Sequence, residues 1–361
     1  MDTSDPDIVF DEKGVCSHCH QYEATIRSKA YFRKKEKGAL EALIQKIKED
    51  GKGQSYDCII GVSGGVDSTY VAYITKELGL RALAVHMDNG WDSELAVSNI
   101  ENALRKLKID LYTHVLDWEE FRDIQLAFLK ASVPDLEIPT DHAIHAVLYD
   151  KASRENVKYI LGGDNTASEG GGVAAWSQGH TDLLYIRGIH KRYGTRPIKS
   201  FPQLGILKFI YCSMVKKIKW IPILDYVDYD KKKTLHILQN ELGWKPYPGK
   251  HLESFYTKFY QGYILPKKFG YDKKRLHLSS LVWSGQISRD EALKGMSENE
   301  YTEDMQRQDR DYVVKKFGIS TEGFDMLMNS PAKSFWDYPS YKKYFYKYSW
   351  LIEYYHKLKR D

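Results

Sequence analysis

Ser63-Gly64-Gly65-Val66-Asp67-Ser68 combines the residue types that cradle a phosphate. Adjacent glycines let the backbone turn so that successive N–H groups face one concavity, and two serine hydroxyls add donors. An apolar run, Cys58 to Val62, precedes this stretch, and a helical pattern ending at Gly79 follows it. The expected structure is a strand, a phosphate-sized turn and a helix N-terminus whose dipole favours an anion. Asp67 is the odd member, because a carboxylate beside phosphates needs a cation between them. Mg²⁺ is the expected cation, held without any contribution of Asp67 to the core. A plain serine-capped glycine turn is the competing reading, disfavoured by the flanking strand and helix.

Further candidates lie downstream. Gly162-Gly163-Asp164-Asn165 is a second glycine turn with a carboxylate, suited to ribose, to phosphate-bound Mg²⁺ or to an incoming acyl group. Ser168-Glu169-Gly170-Gly171-Gly172 is expected to be a mobile loop that closes over substrate. Lys250, Lys258, Lys274 and Arg275 suit a pyrophosphate or a diphosphate, and Glu253 a sugar hydroxyl or a proton. Their spacing requires a helix beginning near His251. Cys16 and Cys19 have the spacing of one zinc knuckle, so a Zn²⁺ site needs a further ligand pair, with His20 or Cys212 as substitutes.

The elements that must position these residues are legible as an alternation. Strand-like runs occur at Tyr56 to Val62, Ala82 to Met87, Ile109 to Val115 and Tyr159 to Leu161. Between them Val71, Ile74 and Leu78, then Val97, Ile100, Leu104 and Leu107, recur at helical spacing. This predicts an α/β fold, a doubly wound parallel sheet with ligands at the carboxyl ends of its strands. His86-Met87-Asp88-Asn89-Gly90 and Gly162-Gly163-Asp164-Asn165 would then converge with the first loop on one nucleotide. Residues 24–50 read as a helix pair or one long basic helix with Leu40, Leu43 and Ile47 on one side. The expected organisation is a small Cys-containing N-terminal segment and helix over 1–50, the sheet domain over 51–200, and a mainly helical substrate region over 201–361. The terminal stretch from Tyr341 to Lys359 is expected to be a half-buried helix with Tyr344, Tyr348 and Tyr355 on one side, rather than an RNA-stacking surface.

With 361 residues the chain can bury a large core. A formal charge of +4 from 53 basic and 49 acidic side chains makes no case for a nucleic-acid or membrane partner. No apolar run is long enough to cross a bilayer, and Met1-Asp2-Thr3-Ser4-Asp5 lacks the basic start of a signal peptide, so a cytoplasmic protein is expected. Four cysteines make no disulfide framework in a chain of this length.

Ser63 to Ser68 resembles the SGGxDS loop of the ATP-pyrophosphatases, a superfamily that includes GMP, NAD and asparagine synthetases, with an adenine nucleotide alpha-hydrolase-like sheet. The resemblance implies that ATP is bound through Ser63, Gly64, Gly65, Asp67 and Ser68, that adenine lies near His86, Met87 and Asp88, and that a substrate oxygen attacks the α phosphorus. Gly249 to Gln261, Leu265 to Arg275, Leu278 to Leu281 and Ser284 to Arg289 together resemble the N-acetyl sugar amidotransferases of bacterial surface-polysaccharide synthesis. That likeness runs from Phe10 to about Leu293. It implies adenylation of an acetamido carbonyl on a sugar nucleotide, displacement of AMP by ammonia, and an acetamidino sugar for lipopolysaccharide O-antigen or a related glycan. It also implies a second Cys-x-x-Cys upstream of Met1. Asp2 and the absence of a nucleophile-elbow cysteine imply a separate glutaminase as ammonia source. The alternatives are a tRNA-modifying thiolase or lysidine synthetase of the same superfamily, and a non-catalytic ATP-binding regulator.

Overall fold

The computed structural model describes residues 1–247, 253–298 and 301–347. Five strands, β1 Cys58–Gly61, β2 Ala82–Asp88, β3 Asp110–Val115, β4 Tyr159–Gly162 and β5 Lys219–Pro222, form one parallel sheet in the order β3-β2-β1-β4-β5. In β1 the side chains alternate between two covered faces. Cys58 and Ile60 join a core with Val71 and Ile74 of helix Val66–Glu77, Ile100 and Leu104 of helix Glu94–Leu107, and Ile44 and Ile47 of helix Ala39–Asp50. Ile59 joins Leu83, Val85 and Ile160 against Ala146 and Val147 of helix Ile138–Arg154. Helices on both faces make the sheet doubly wound, and the strand order reverses between β1 and β4. The carboxyl ends of those two strands therefore flank the crevice where such sheets bind ligands.

A third core lies beyond the end of β2. Trp91, Phe121, Phe128 and Ile186 there meet Tyr256, Phe259, Val313, Phe317 and Phe324, so residues on both sides of position 201 share it. Helix Phe255–Phe259 begins at the cap Ser254, whose hydroxyl accepts from the Thr257 N–H, and not near His251; His251 itself lies outside the described residues. The basic N-terminal stretch is three helices, Ser17–Ile26, Lys29–Lys35 and Ala39–Asp50. In the last described helix, Tyr341–Lys347, Tyr344 is exposed and not half-buried; Tyr348 and Tyr355 lie outside the described residues. No described helix is long and apolar enough to cross a membrane.

Candidate active site

The loop after β1 is braced before any ligand arrives. Gly64 adopts φ +79°, and a Cβ there would lie 2.7 Å from the Ala96 carbonyl, so only glycine fits the turn. Ser63 and Ser68 hydroxyls lie 3.1 Å apart, and the Ser68 hydroxyl accepts from the Ser63 N–H at 3.2 Å. Thr69 Oγ1 donates to the Gly65 carbonyl at 2.7 Å. From the helical region, Trp244 Nε1 at 2.9 Å and the Tyr247 hydroxyl at 3.1 Å both donate to the Gly64 carbonyl. The Ser63 and Gly65 N–H groups are engaged within the loop, by Ser68 Oγ at 3.2 Å and Ser63 Oγ at 3.4 Å, and the loop leads into the positive end of helix Val66–Glu77, which suits an anion.

Asp67 lies in the first turn of that helix, half-buried. It is not free of structural duty: the hydroxyl of Tyr229, itself 6 % exposed, donates to Oδ1. Burial, then the Asp67 charge and that bond, hold the phenol far above its ordinary acidity range. The turn after β4 abuts the loop, since a Cβ on Gly163 would lie 3.3 Å from the Ser68 nitrogen. Asp164 stands there with its carboxyl raised by burial, against the Trp220 Nε1 bond of 2.8 Å. Asn165 caps the short helix Thr166–Glu169 by accepting from the Ser168 N–H at 2.8 Å. Of the glycine run that follows, two positions are packed, since Cβ atoms on Gly170 and Gly171 would collide with Tyr22 and Trp283 respectively, whereas one on Gly172 would meet nothing within 4 Å.

At the end of β2 the His86 ring is buried, with Nδ1 2.9 Å from the Val62 carbonyl and Nε2 3.3 Å from Asp92. Burial favours its neutral form, but the Asp92 bond and charge outweigh that and raise its pKa. Asp88 accepts from the Gly90 N–H at 2.8 Å, closing a tight turn, while Met87 faces the third core. Trp91 is fully buried, stacked on Tyr256 at 5.2 Å, and so anchors the helical region instead of facing a nucleotide.

The downstream candidates separate. Glu253 reaches the loop: a Cβ on Gly65 would sit 3.2 Å from its Oε1, and its carbonyl accepts from the Ser93 N–H at 2.9 Å. Lys258 does not; it pairs with Asp309 at 2.8 Å in a largely buried contact within the third core's rim. Arg275 is tied to Asp2, and Lys274 donates to the Glu298 carbonyl at 2.8 Å. Lys250 lies outside the described residues. Trp244, Tyr247 and Tyr229 were not foreseen as parts of the site, and nothing in their local spacing marks them; each reaches it by a contact across more than 160 residues.

Cys16 and Cys19 sulfurs lie 3.5 Å apart, but His18 and His20 turn to Asp5 at 2.6 Å and Asp11 at 2.9 Å. Cys212 is buried beside Tyr149 and Ile218. Among the described residues no group of three or more His, Cys, Asp or Glu can hold a metal, so the zinc expectation is not supported.

Residues 39–201 match the NAD synthase family, and residues 253–353 match the family described as LPS biosynthesis protein WbpG-like, C-terminal domain. No curated protein matches the chain. Among solved structures, an NH3-dependent NAD synthetase from Campylobacter jejuni subsp. jejuni NCTC 11168 in complex with the nitrate ion is 17% identical, with 78% of this chain and 95% of that one covered and a TM-score of 0.34. An NMN synthetase from Francisella tularensis is 15% identical over 62% of this chain and 93% of its own, with a TM-score of 0.28. A predicted subunit of tRNA methyltransferase from Methanocaldococcus jannaschii is 17% identical over 50% and 73%, with a TM-score of 0.29. TM-scores this low carry nothing further about this chain. The sheet order and the two family matches agree: the chain carries an NAD synthase-like domain joined to a WbpG-like C-terminal domain, consistent with a pyrophosphatase-loop fold.

Proposed function

We propose that this chain is an ATP-dependent amidotransferase of lipopolysaccharide synthesis, which adenylates the acetamido carbonyl of an N-acetylated sugar nucleotide and replaces the oxygen with ammonia. The observation that carries the reading is Glu253. It opens the WbpG-like segment and lies against Gly65, so the part of the chain matched to lipopolysaccharide synthesis meets the loop suited to ATP. An acetamido carbonyl is a poor electrophile, because the nitrogen lone pair delocalises into it. Attack of its oxygen on the α phosphorus gives an adenylated imidate and pyrophosphate, from which ammonia can expel AMP. Holding the two substrates in line supplies effective molarities on the order of 10⁵ M or more.

In this reading the loop N–H groups, with Ser63 and Ser68, bind the leaving pyrophosphate. The carboxylates of Asp67 and Asp164, on adjacent turns, suit Mg²⁺, which would neutralise phosphate charge when bound. Glu253 would face the sugar nucleotide beside Gly65. A separate glutaminase would supply ammonia in the cytoplasm.

The thiolase alternative needs a reactive cysteine near the nucleotide. Cys58 is wholly buried in β1 and burial raises its thiol far above the usual range; Cys212 is 1 % exposed and raised for the same reason. Pyrophosphate release is the test, with ATP, Mg²⁺, ammonium chloride and a panel of UDP-N-acetylhexosamines. Release that depends on an acetamido sugar and yields amidine without a glutaminase is expected. Dependence on tRNA, or ATP binding without turnover, would overturn the reading.

A further inference from the structure

One stretch of the chain carries a charge that the whole conceals. Between Asp182 and Asp225 stand nine lysines and arginines and no aspartate or glutamate, although the chain has 53 basic and 49 acidic side chains in all. Within this stretch helix Ile206–Ile210 runs on as a π-helical turn, Tyr211–Val215. Its inner side is anchored: Cys212 shares a core with Ile218 and Tyr149, and the Phe209 and Tyr149 rings meet at 5.6 Å. The outer side is apolar and bare. Leu207 is 83%, Met214 73% and Val215 65% exposed, and Ile210 and Tyr211 are close to half exposed. Positions 207, 210, 211 and 214 fall three and four apart, so they form one stripe. A contiguous apolar surface of this kind marks an interaction site.

The charges around the stripe decide what covers it. Lys208 pairs with Asp150 at 2.9 Å, whereas Lys216, Lys217 and Lys219, which follow the stripe, have no carboxylate partner among the described residues. At its other end, a Cβ on Gly205 would lie 3.3 Å from Leu183, and Arg187 stands one turn further along helix Leu183–Tyr193. The Arg187 guanidinium donates to the neutral Gln203 Oε1, with Nε at 2.9 Å, and not to an acid. Arg187, Lys191, Arg196 and Gln203 line an open cleft of about 460 Å³ that has no carboxylate in its wall. The loop forming that wall is held from beneath by two buried acids: Asp123 accepts from the Thr195 N–H at 2.9 Å, and Glu120 from the Lys199 N–H at 2.7 Å and the Phe201 N–H at 2.9 Å. Cations therefore border the apolar stripe at both ends. A second copy of the chain is a poor cover, because a two-fold contact would set these lysines against the same basic face.

We propose that this face docks on the surface of an anionic phospholipid bilayer. Leu207, Ile210, Tyr211, Met214 and Val215 enter the boundary between headgroups and acyl chains, where an in-plane helix buries its apolar side, while Lys216, Lys217 and Lys219 stay among the headgroups. The cleft of Arg187, Lys191 and Arg196 takes a lipid phosphate, to which guanidinium groups donate paired hydrogen bonds. A helix of this length lies on a bilayer and does not cross it, since crossing takes about 20 residues. The stripe leads through Ile218 into the amino end of β5, whereas the loop at Ser63 to Ser68 and the Gly163 turn follow the carboxyl ends of β1 and β4 in the same parallel sheet. Docking thus engages the end of the sheet opposite the crevice.

Cosedimentation of the full chain with vesicles is the test. The chain should pellet with phosphatidylcholine vesicles that contain phosphatidylglycerol and stay in solution with phosphatidylcholine alone. Leu207→Ser with Met214→Ser, and separately Lys217→Glu with Lys219→Glu, should each weaken binding at least tenfold at an unchanged melting temperature, because all four side chains are exposed. Arg187→Gln with Lys191→Gln should also weaken it. Leu293→Ser removes a side chain 59% exposed on another helix and should bind as the unsubstituted chain does. Failure to bind anionic vesicles, or equal binding to both kinds, would overturn the proposal. A concentration-dependent dimer in place of vesicle binding, abolished by Leu207→Ser in sedimentation velocity, would overturn it in favour of a second copy. Affinity for free inorganic pyrophosphate that Arg187→Gln lowers, with no vesicle binding, would overturn it in favour of a soluble phosphate site.

Discussion

Asp67→Ala tests two duties of one carboxylate. Beyond its place beside the loop, Asp67 accepts from the buried Tyr229 hydroxyl, so truncation leaves that donor in a site only 6 % exposed. A buried polar group that loses its partner costs about 1–3 kcal/mol. Tyr229→Phe removes the donor while the ring keeps its place 5.9 Å from Tyr70, and the half-buried Asp67 can turn to water. That change should cost about 1 kcal/mol. The double variant should then cost less than the sum of the two by about 1 kcal/mol or more, since the orphaned hydroxyl is gone. Urea unfolding followed by tryptophan fluorescence measures the three differences, with m unchanged. Pyrophosphate release separates the duties: Asp67→Ala should abolish it, and Tyr229→Phe should retain most of it. Stabilities additive within about 0.3 kcal/mol would refute the structural half. Loss of turnover in Tyr229→Phe as complete as in Asp67→Ala would refute the assignment of the chemistry to the carboxylate.

Gly64→Ala places a side chain at φ +79° with Ala96 O 2.7 Å away, so it should lose about 1–2 kcal/mol and weaken ATP binding; Gly172→Ala, whose Cβ meets nothing within 4 Å, is the neutral control. Unchanged melting of Gly64→Ala would contradict the braced-loop account. Lys258→Met removes the partner of Asp309 at 2.8 Å and should destabilise by about 3 kcal/mol while the KM for ATP and sugar stays put; a raised sugar KM at intact stability would return Lys258 to the substrate site. His180 has its pKa raised to about 9, because the Asp135 bond and the Asp141 and Asp135 charges outweigh burial, which acts the other way. A raised folded-state value means that its stabilising contribution is complete below about 6.5, the unfolded value, and fades as pH rises through about 9. The melting-temperature gap between the unsubstituted protein and His180→Gln should therefore shrink between pH 6.5 and 9; a constant gap would exclude this linkage.

The central sheet was legible because strands covered on both faces must be apolar along their length. Ile59, Ile60, Leu83 to Val85 and Tyr159 to Leu161 satisfy that directly. β5 was missed: Lys219-Trp220-Ile221-Pro222 is a short edge strand, half-exposed, and carries a proline that a central strand could not accept. Helical periodicity found Ile100, Leu104 and Leu107, which are buried, but also Val97, which is 42 % exposed, because spacing defines a stripe and not its edges. The strand, turn and helix around Ser63 to Ser68 were legible as a local pattern of glycines and serines between two periodic runs. The roles of Lys258 and Arg275 were not, since charge and residue type are the same for a phosphate ligand as for Asp309 or Asp2, and only tertiary packing chooses the partner. The ionic cluster of Asp135, Asp141, His180 and Lys273 was invisible for a related reason: its members come from separate segments with no shared spacing.

Trp91 has a consequence for how such chains can change over time. Its carbonyl accepts from the Phe255 N–H at 2.9 Å, its ring stacks on Tyr256, and the next residues bridge to Ser254 and Glu253. The sheet half and the helical half are thus stitched together at one seam, with a fully buried indole as the rivet. Recombination that exchanged everything after residue 252 would meet a cavity or a clash at Trp91 unless the incoming segment brought its own Tyr256 and Phe317 equivalents.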